Sequence, residues 1–250
     1  MGEVIGILSG KGGTGKTSVC AGLAEALSQT GAQVLCIDCD VGLRNLDIAL
    51  GISQLGSVSF LEVSSGQYPL EAATVHPVYP NLRFLTAPLN CPVEDIDPLQ
   101  LSQLLSTARQ QFHFILMDAP AGIDAGFRLA ATCADRILLV TGPDPAAIRD
   151  ARQAADKLEL MGKTDVRLIV NRITKKLAAT LTLTIDDIMD EAGLPLIGIV
   201  PEDPDVVLAA AFRQPLLGYS TDKRGAAAAC RRIAKRLLGI RVPITRAIKK

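Results

Sequence analysis

The chain has 250 residues, of which 48% are hydrophobic and 21% charged, and its basic and acidic side chains are equal in number. These values fit one α/β domain with a large aliphatic core, and the zero net charge gives no indication of nucleic acid or another polyanion as a partner. The N-terminus lacks the features of a signal peptide and no window is long and apolar enough to span a bilayer, so we expect the chain in the cytoplasm.

Apolar runs of strand length alternate with segments of helical spacing along the chain. This succession predicts βαβ units, which form a mainly parallel twisted sheet with helices on both faces. Ligands then bind at the carboxyl ends of the strands. We predict one domain over residues 1–238 and a basic tail over residues 239–250. The predicted strands are Glu3–Ser9, Gln33–Asp38, Leu82–Ala87, Phe112–Asp118, Arg136–Thr141, Val166–Asn171 and Leu196–Val200, and the main predicted helices are Thr17–Gln29, Pro98–Gln110, Ala146–Met161 and Ile185–Ala192.

A glycine-rich loop after the first strand carries the strongest functional signal. Residues 10–17, here called the phosphate loop, read GKGGTGKT and match the pattern G-x-x-x-x-G-K-[ST]. Glycines let backbone N–H groups surround phosphate oxygens, and the helix that follows presents its positive dipole end to them. The pattern predicts a single-domain P-loop NTPase in which Lys16 neutralises phosphate oxygens and the Thr17 hydroxyl binds Mg²⁺. The residues predicted to surround the nucleotide phosphates are Gly12, Gly13, Thr14, Gly15, Lys16, Thr17 and Ser18.

Carboxylates follow the two strands that we expect beside the phosphate loop. Asp38 and Asp40 lie at the end of the second strand, and Asp118 follows the apolar run at residues 114–117. We predict that Asp38 contacts metal-bound water, that Asp40 orients the attacking water, and that Asp118 holds Mg²⁺ through a water. Asp38 and Asp40 could alternatively be ordinary solvated acids at a strand end.

The residues after the strand at 166–171 bear on the identity of the base. GTPases with phosphate loops usually carry [NT]-K-x-D in this place, whereas this sequence reads Asn171-Arg172-Ile173-Thr174 and lacks the aspartate. ATP is therefore favoured over GTP. We expect Asn171 to bond a purine edge and Arg172 to stack on the base.

The cysteines and histidines give no metal or redox prediction. Cys36 and Cys39 form a C-x-x-C, but residues i and i+3 of a strand point to opposite faces, and no second C-x-x-C is present. His76 and His113 belong to no cluster of metal-ligating residues, and neither is given a catalytic role.

Four separated motifs together resemble the deviant Walker A ATPases of the MinD/ParA family. They read KGGTGKT at residues 11–17, DCDVGLRNLDIALG at 38–51, DAPAGI at 118–123 and VPED at 200–203. The resemblance identifies residues 38–51 as switch I and residues 119–124 as switch II, in which Gly122 approaches the γ-phosphate. It implies that Lys11 reaches the partner's nucleotide across a dimer interface, although the spacing alone also fits a solvent-facing lysine. It further implies that Pro201, Glu202 and Asp203 line the adenine pocket.

The GLRNLD run resembles the division-site members of this family most closely. It implies an ATPase switch that uses ATP/ADP and Mg²⁺, forms a homodimer with ATP, and controls division-site placement. The implied partners are MinC-like and MinE-like or other division regulators, and the implied location is the inner face of the cell membrane in the ATP state.

The C-terminal charge bears on that location. From Arg231 to Lys250 there are eight Lys or Arg residues and no acidic residue, which favours an anionic membrane surface but also fits a basic helix end. Pro243 interrupts any helix here, and Ile244, Ala247 and Ile248 form only a short apolar stripe. We predict weak, peripheral membrane contact that two tails in a dimer strengthen.

Three alternatives use the same fold. A flagellar-number or other spatial regulator would bind proteins without a division role. A metal-centre maturation ATPase would present a cysteine pair at its dimer interface, for which Cys36 and Cys39 are poorly placed. A DNA-partition ATPase would need a basic DNA-binding surface, and only the tail is basic here.

Overall fold

The computed structural model describes residues 1–89, 91–174 and 184–244. The strands in these ranges are β1 (Glu3–Leu8), β2 (Val34–Asp38), β3 (Thr74–Val75), β4 (Leu82–Leu85), β5 (Phe114–Asp118), β6 (Arg136–Thr141), β7 (Val166–Ile173) and β8 (Leu196–Pro201). The helices are α1 (Lys16–Ser28), α2 (Leu46–Ala49), α3 (Phe60–Ser64), α4 (Pro98–Gln111), α5 (Ala125–Cys133), α6 (Pro145–Leu160), α7 (Ile185–Ala192), α8 (Pro204–Ala211), α9 (Leu216–Tyr219) and α10 (Ala226–Leu237). No helix among the described residues has the length and hydropathy needed to cross a bilayer.

The strands form one sheet in the order β3-β4-β2-β5-β1-β6-β7-β8. Every neighbouring pair is parallel except β3 and β4, which are antiparallel at one edge. The predicted mainly parallel sheet is therefore confirmed. The central strand β1 is paired with β5, where Ile7 is opposite Asp118, and β5 is paired with β2, where Asp118 is opposite Asp38. This register brings the phosphate loop and both carboxylates together at the carboxyl ends of the central parallel strands.

The two largest hydrophobic cores lie on opposite faces of the sheet, because alternate residues of each strand point to opposite faces. Ile5 and Ile7 of β1 belong to the core covered by α1 and α10, whereas Val4 and Leu8 belong to the core covered by α4 and α5. The predicted helices on both faces are thus confirmed. Cys36 lies in the first core and Cys39 in the second, as expected for a strand.

The predicted elements agree with the structure to within two residues at most ends. The strand predicted to begin at Phe112 starts at Phe114, because the N–H groups of His113 and Phe114 both donate to the Gln33 carbonyl. The strand predicted to end at Asn171 continues to Ile173. Short β3 and helices α2, α3, α5, α8 and α9 were not predicted from the sequence, since most are too brief to show a clear periodicity.

Candidate nucleotide-binding site

The phosphate loop connects β1 to α1 at the carboxyl edge of the sheet. Gly13 and Gly15 have φ values of 79° and 82°, a conformation that favours glycine. A Cβ on Gly15 would also lie 2.3 Å from the Asn171 side chain. The buried Thr14 hydroxyl has no hydrogen-bond partner within the described ranges. A loop of glycines with an unpaired donor at the start of a helix fits a phosphate ligand.

Lys16 and Asp118 form an ion pair beneath the loop. Lys16 Nζ lies 2.6 Å from Asp118 Oδ1, and the two side chains are only 6% and 1% exposed. Lys16 also donates to the Thr17 hydroxyl at 3.4 Å. Burial raises the pKa of the Asp118 carboxyl, and the adjacent Lys16 ammonium opposes that rise. The sequence-predicted lysine, hydroxyl and carboxylate are therefore in mutual contact.

Asp38 organises the first part of switch I. Its two oxygens accept backbone N–H groups from Asp40 at 2.9 Å and from Leu46 at 3.2 Å. Burial raises the pKa of the Asp38 carboxyl to about 7, and the neighbouring Asp118 adds to that rise, whereas the two backbone bonds oppose it. Asp40 itself is half-buried and accepts from the Leu43 backbone at 3.3 Å. Asp38 lies opposite Asp118 on the adjacent strand, so its two hydrogen bonds hold the backbone of switch I near that carboxylate.

Switch II lies directly against the phosphate loop. The Gly122 N–H donates to the Ser9 carbonyl at 3.2 Å, and the Ser9 hydroxyl donates to the Lys11 carbonyl at 3.0 Å. Gly122 has a φ of 95°, which favours glycine at this position. A displacement of Gly122 would therefore shift Ser9 and, through the Ser9 hydroxyl, the backbone of the phosphate loop at Lys11.

A pocket of about 180 Å³, here called the rear pocket, lies behind the phosphate loop. Asn171 is buried there and donates to the Thr14 carbonyl at 2.7 Å, so it also supports the loop. Arg172 pairs with Glu202 at 2.7 Å and donates to the Gly13 carbonyl at 3.1 Å. The rear pocket has a mainly aliphatic wall and a polar rim, as sites for planar bases often do. Its lining residues are Gly15, Ser18, Val19, Asn171, Arg172, Val200, Pro201, Glu202, Asp203, Val206, Val207, Leu216, Ala226 and Cys230.

The Lys11 side chain forms an ion pair with Asp144 of the same chain. Its Nζ lies 3.3 Å from Asp144 Oδ1, and both side chains are substantially exposed. The same Asp144 oxygen accepts the Ala147 N–H at 2.9 Å and caps the start of α6. In the single chain, Lys11 is therefore held beside the loop by an exposed ion pair, a contact of modest strength.

A family model described as the CobQ/CobB/MinD/ParA nucleotide binding domain matches residues 5–216. The chain belongs to this family. It is 35% identical over 248 residues to the septum site-determining protein MinD of Bacillus subtilis (strain 168), a match that covers 98% of this chain and 92% of the relative.

Two solved structures resemble the chain over nearly its full length. One is a chain of the MinC:MinD cell division protein complex of Aquifex aeolicus, with a TM-score of 0.89, 35% identity and 98% of each chain covered. The other is the septum site-determining protein MinD of Pyrococcus horikoshii OT3 complexed with Mg-ADP, with a TM-score of 0.82 and 28% identity, covering 95% of this chain and 96% of that chain.

The structure of this MinD/ParA-family chain brings all the sequence-predicted site residues to one edge of the sheet. It also adds residues that the sequence did not reveal. Asp144 pairs with Lys11, and Leu216 and Cys230 line the rear pocket. Asp144-Pro145 is a recognisable helix start, but only the fold places it beside a loop 133 positions earlier. Among the described residues no group of three or more His, Cys, Asp or Glu side chains could hold a metal ion.

Proposed function

We propose that this chain is a Mg-ATP-dependent ATPase switch that forms a homodimer with ATP, acts in division-site placement at the membrane, and is reset by hydrolysis to ADP and phosphate. The observation that carries the proposal is the buried Lys16–Asp118 pair, which lies at the phosphate loop with Asp38 on the adjacent strand. The septum site-determining function of the Bacillus subtilis relative supports the division role.

The chain's own residues account for binding and for water attack. Backbone N–H groups of the phosphate loop bind the phosphates, and Lys16 exchanges its carboxylate partner for phosphate oxygens. Thr17, Asp38 and Asp118 are the residues that would hold Mg²⁺, directly or through water, and the ion neutralises phosphate charge when bound. Asp40 orients the water whose oxygen attacks the γ-phosphorus. The bond between that phosphorus and the β–γ bridging oxygen breaks, ADP leaves with that oxygen and its bonding electrons, and the protons of the water remain on the phosphate product.

The base is proposed to lie in the rear pocket, which opens beside Gly15 and Ser18. Asn171 and the segment Pro201–Glu202–Asp203 form its polar side. Arg172 is bonded to Glu202 and to the loop, so it can stack on the base only at the rim, or after leaving Glu202. Adenine is favoured because no aspartate follows Asn171-Arg172 at the position used to read guanine.

Lys11 is proposed to act on the partner's nucleotide. For this it must leave Asp144, and the exposure of that pair makes the exchange inexpensive. ATPase activity per molecule should therefore rise with protein concentration. A Lys11→Ala variant should neither dimerise with ATP nor hydrolyse it, whereas Lys157→Ala, which removes a lysine near the far end of α6, is a control that should do both. A monomeric and fully active Lys11→Ala protein would refute the role in trans.

Membrane contact is proposed for the tail. Arg236 in α10 donates to the carbonyls of Val242 and Pro243, at 3.1 and 2.8 Å, and to that of Ile197 in β8 at 2.7 Å. These bonds fold the start of the tail against the domain, with Ile244 44% exposed. The predicted basic and apolar residues Arg246, Ala247, Ile248, Lys249 and Lys250 lie outside the described residues.

Liposome sedimentation tests this contact. The full chain should bind anionic vesicles with ATP more than with ADP, lose binding as salt rises, and ignore neutral vesicles. A chain lacking residues 244–250 should lose binding, whereas Lys163→Gln, a neutralised lysine elsewhere on the domain, should not. Equal binding with ATP and ADP would contradict the coupling to the dimer. Absence of binding at low salt would contradict the membrane role and favour a spatial regulator that acts only on proteins.

Two protein partners are proposed for the ATP-bound dimer. The Aquifex aeolicus neighbour is part of a MinC:MinD complex, which supports a MinC-like partner for the ATP-bound dimer. A MinE-like activator is proposed from the family resemblance.

Cys36 and Cys39 are both buried, so they do not favour the alternative of a metal-centre maturation ATPase.

A further inference from the structure

Glu25 is a buried carboxylate in α1 outside the phosphate site. Its side chain is 0% exposed. Its two oxygens accept backbone N–H groups from Leu216 at 3.2 Å and Leu217 at 2.7 Å, which lie more than 190 positions later in the chain. A buried carboxylate is costly unless its hydrogen bonds are satisfied, and here both oxygens are used.

Glu25 holds the first turn of α9, a helix that begins after Pro215 and has no side-chain cap of its own. Arg231 in α10 binds the same turn, because its Nη2 donates to the Leu217 carbonyl at 3.0 Å. Arg231 also donates to the Gln29 side chain at 3.1 Å, which ties it to α1. The Leu217 peptide groups are thus bonded on both sides by side chains of the flanking helices.

Leu216 is the residue through which α9 reaches the nucleotide site. Its side chain lines the rear pocket together with Ser18 and Val19. It also lines a second cavity with Asn45 and Ile48 of switch I. Any shift of α9 therefore changes the wall of the rear pocket and the space beneath switch I together.

We propose that Glu25 is a positioning residue for the nucleotide base, because it fixes Leu216 in the wall against which the base packs. Glu25 is not among the residues that line the rear pocket, so it acts through α9. The inference rests on the proposed assignment of this pocket to the base. The packing around the wall is close, since a Cβ on Gly22 would lie 2.7 Å from Cys230 Sγ and 3.7 Å from the Leu216 side chain.

The surroundings of Glu25 suit a fixed hydrogen-bonding role. Burial raises its pKa to about 8, while the two backbone bonds and the Arg231 charge oppose that rise. Tyr79 and Cys230 are the other titratable groups that interact with it. Glutamine has nearly the same shape as glutamate, but its amide nitrogen would face one of the two N–H donors. Above about pH 8, where Glu25 is ionised and accepts both N–H groups, Glu25→Gln therefore removes one hydrogen bond without leaving a cavity.

The test compares ADP with tripolyphosphate, which can use the phosphate loop but has no base. At about pH 9, where Glu25 is ionised, calorimetric titration of the full-length Glu25→Gln variant should show ADP binding weakened about tenfold and tripolyphosphate binding within about twofold of wild type. Leu216→Ala should give the same selective loss and decides the matter if Glu25→Gln does not fold. Leu105→Ala, a buried leucine in α4 on the other face of the sheet, is a destabilised control that should weaken neither ligand.

Three other outcomes would contradict the inference, and each has a different cause. Equal weakening of ADP and tripolyphosphate would mean that Glu25 supports α1 and the phosphate loop as a whole. Unchanged ADP binding in both variants would mean that the wall is not set by Glu25 or Leu216. A wild-type chain that binds ADP no more tightly than tripolyphosphate would show that the rear pocket does not take the base, and the pocket assignment would fail first.

Discussion

Replacing Asp118 by asparagine should destabilise the nucleotide-free protein strongly. Lys16 and Asp118 are 2.6 Å apart and almost fully buried, so Asp118→Asn leaves an ammonium group in the interior beside a neutral amide. Breaking a buried ion pair by removing one partner typically costs about 3–5 kcal/mol. In a domain of this size each kcal/mol lowers the Tm by about 2–4 °C, so we expect a decrease of roughly 6–20 °C.

Thermal unfolding followed by circular dichroism measures this effect, and ADP without Mg²⁺ tests its cause. Phosphate oxygens would give Lys16 a new anionic partner, so ADP should raise the Tm of Asp118→Asn more than that of wild type. A Lys16→Met, Asp118→Leu double variant removes both charges and should unfold near the wild-type temperature.

Two results would refute the reasoning. A Tm of nucleotide-free Asp118→Asn within about 2 °C of wild type would show that the ion pair contributes little to stability. A double variant as unstable as Asp118→Asn would show that the loss comes from packing rather than from the unpaired charge.

Three further predictions use other parts of the site. Asp40→Ala should retain ATP binding and lose most hydrolysis, since it removes water positioning, and turnover within about twofold of wild type would contradict this role. Asp144→Asn should weaken the ion pair that holds Lys11 in the single chain. ATP-dependent dimerisation, measured by light scattering, should therefore occur at a protein concentration equal to or lower than that of wild type. A higher concentration would contradict the proposed exchange of partners by Lys11. The pKa of Glu25 is raised from 4.5 to about 8 in the folded protein. Between these two pH values the folded protein keeps a proton on Glu25 that the unfolded chain has lost, so the free energy of unfolding decreases as the pH rises from 4.5 to about 8. Glu25→Gln should flatten this dependence, and parallel plots of Tm against pH for the two proteins would contradict it.

Local signals account for the part of the site that the sequence predicted. The glycine pattern before Lys16 and the apolar run before Asp118 each mark a strand end, and parallel strands bring their ends to one edge. The order of the strands was not predictable, because it depends on packing between segments far apart in the chain. The same limit applies to the side-chain partners. Glu25 has the sequence context of an ordinary exposed helix residue, and only the packing of α9 on α1 reveals its role.

The three bonds of Arg236 also make a mechanical connection. They join the first part of the tail to Ile197 near the start of β8, a strand whose other end, Pro201, borders the rear pocket. Because Arg236 itself belongs to α10, a pull on the first part of the tail would load the end of α10 and the start of β8 together. The tail is thereby coupled, through one arginine, to the strand whose far end borders the rear pocket.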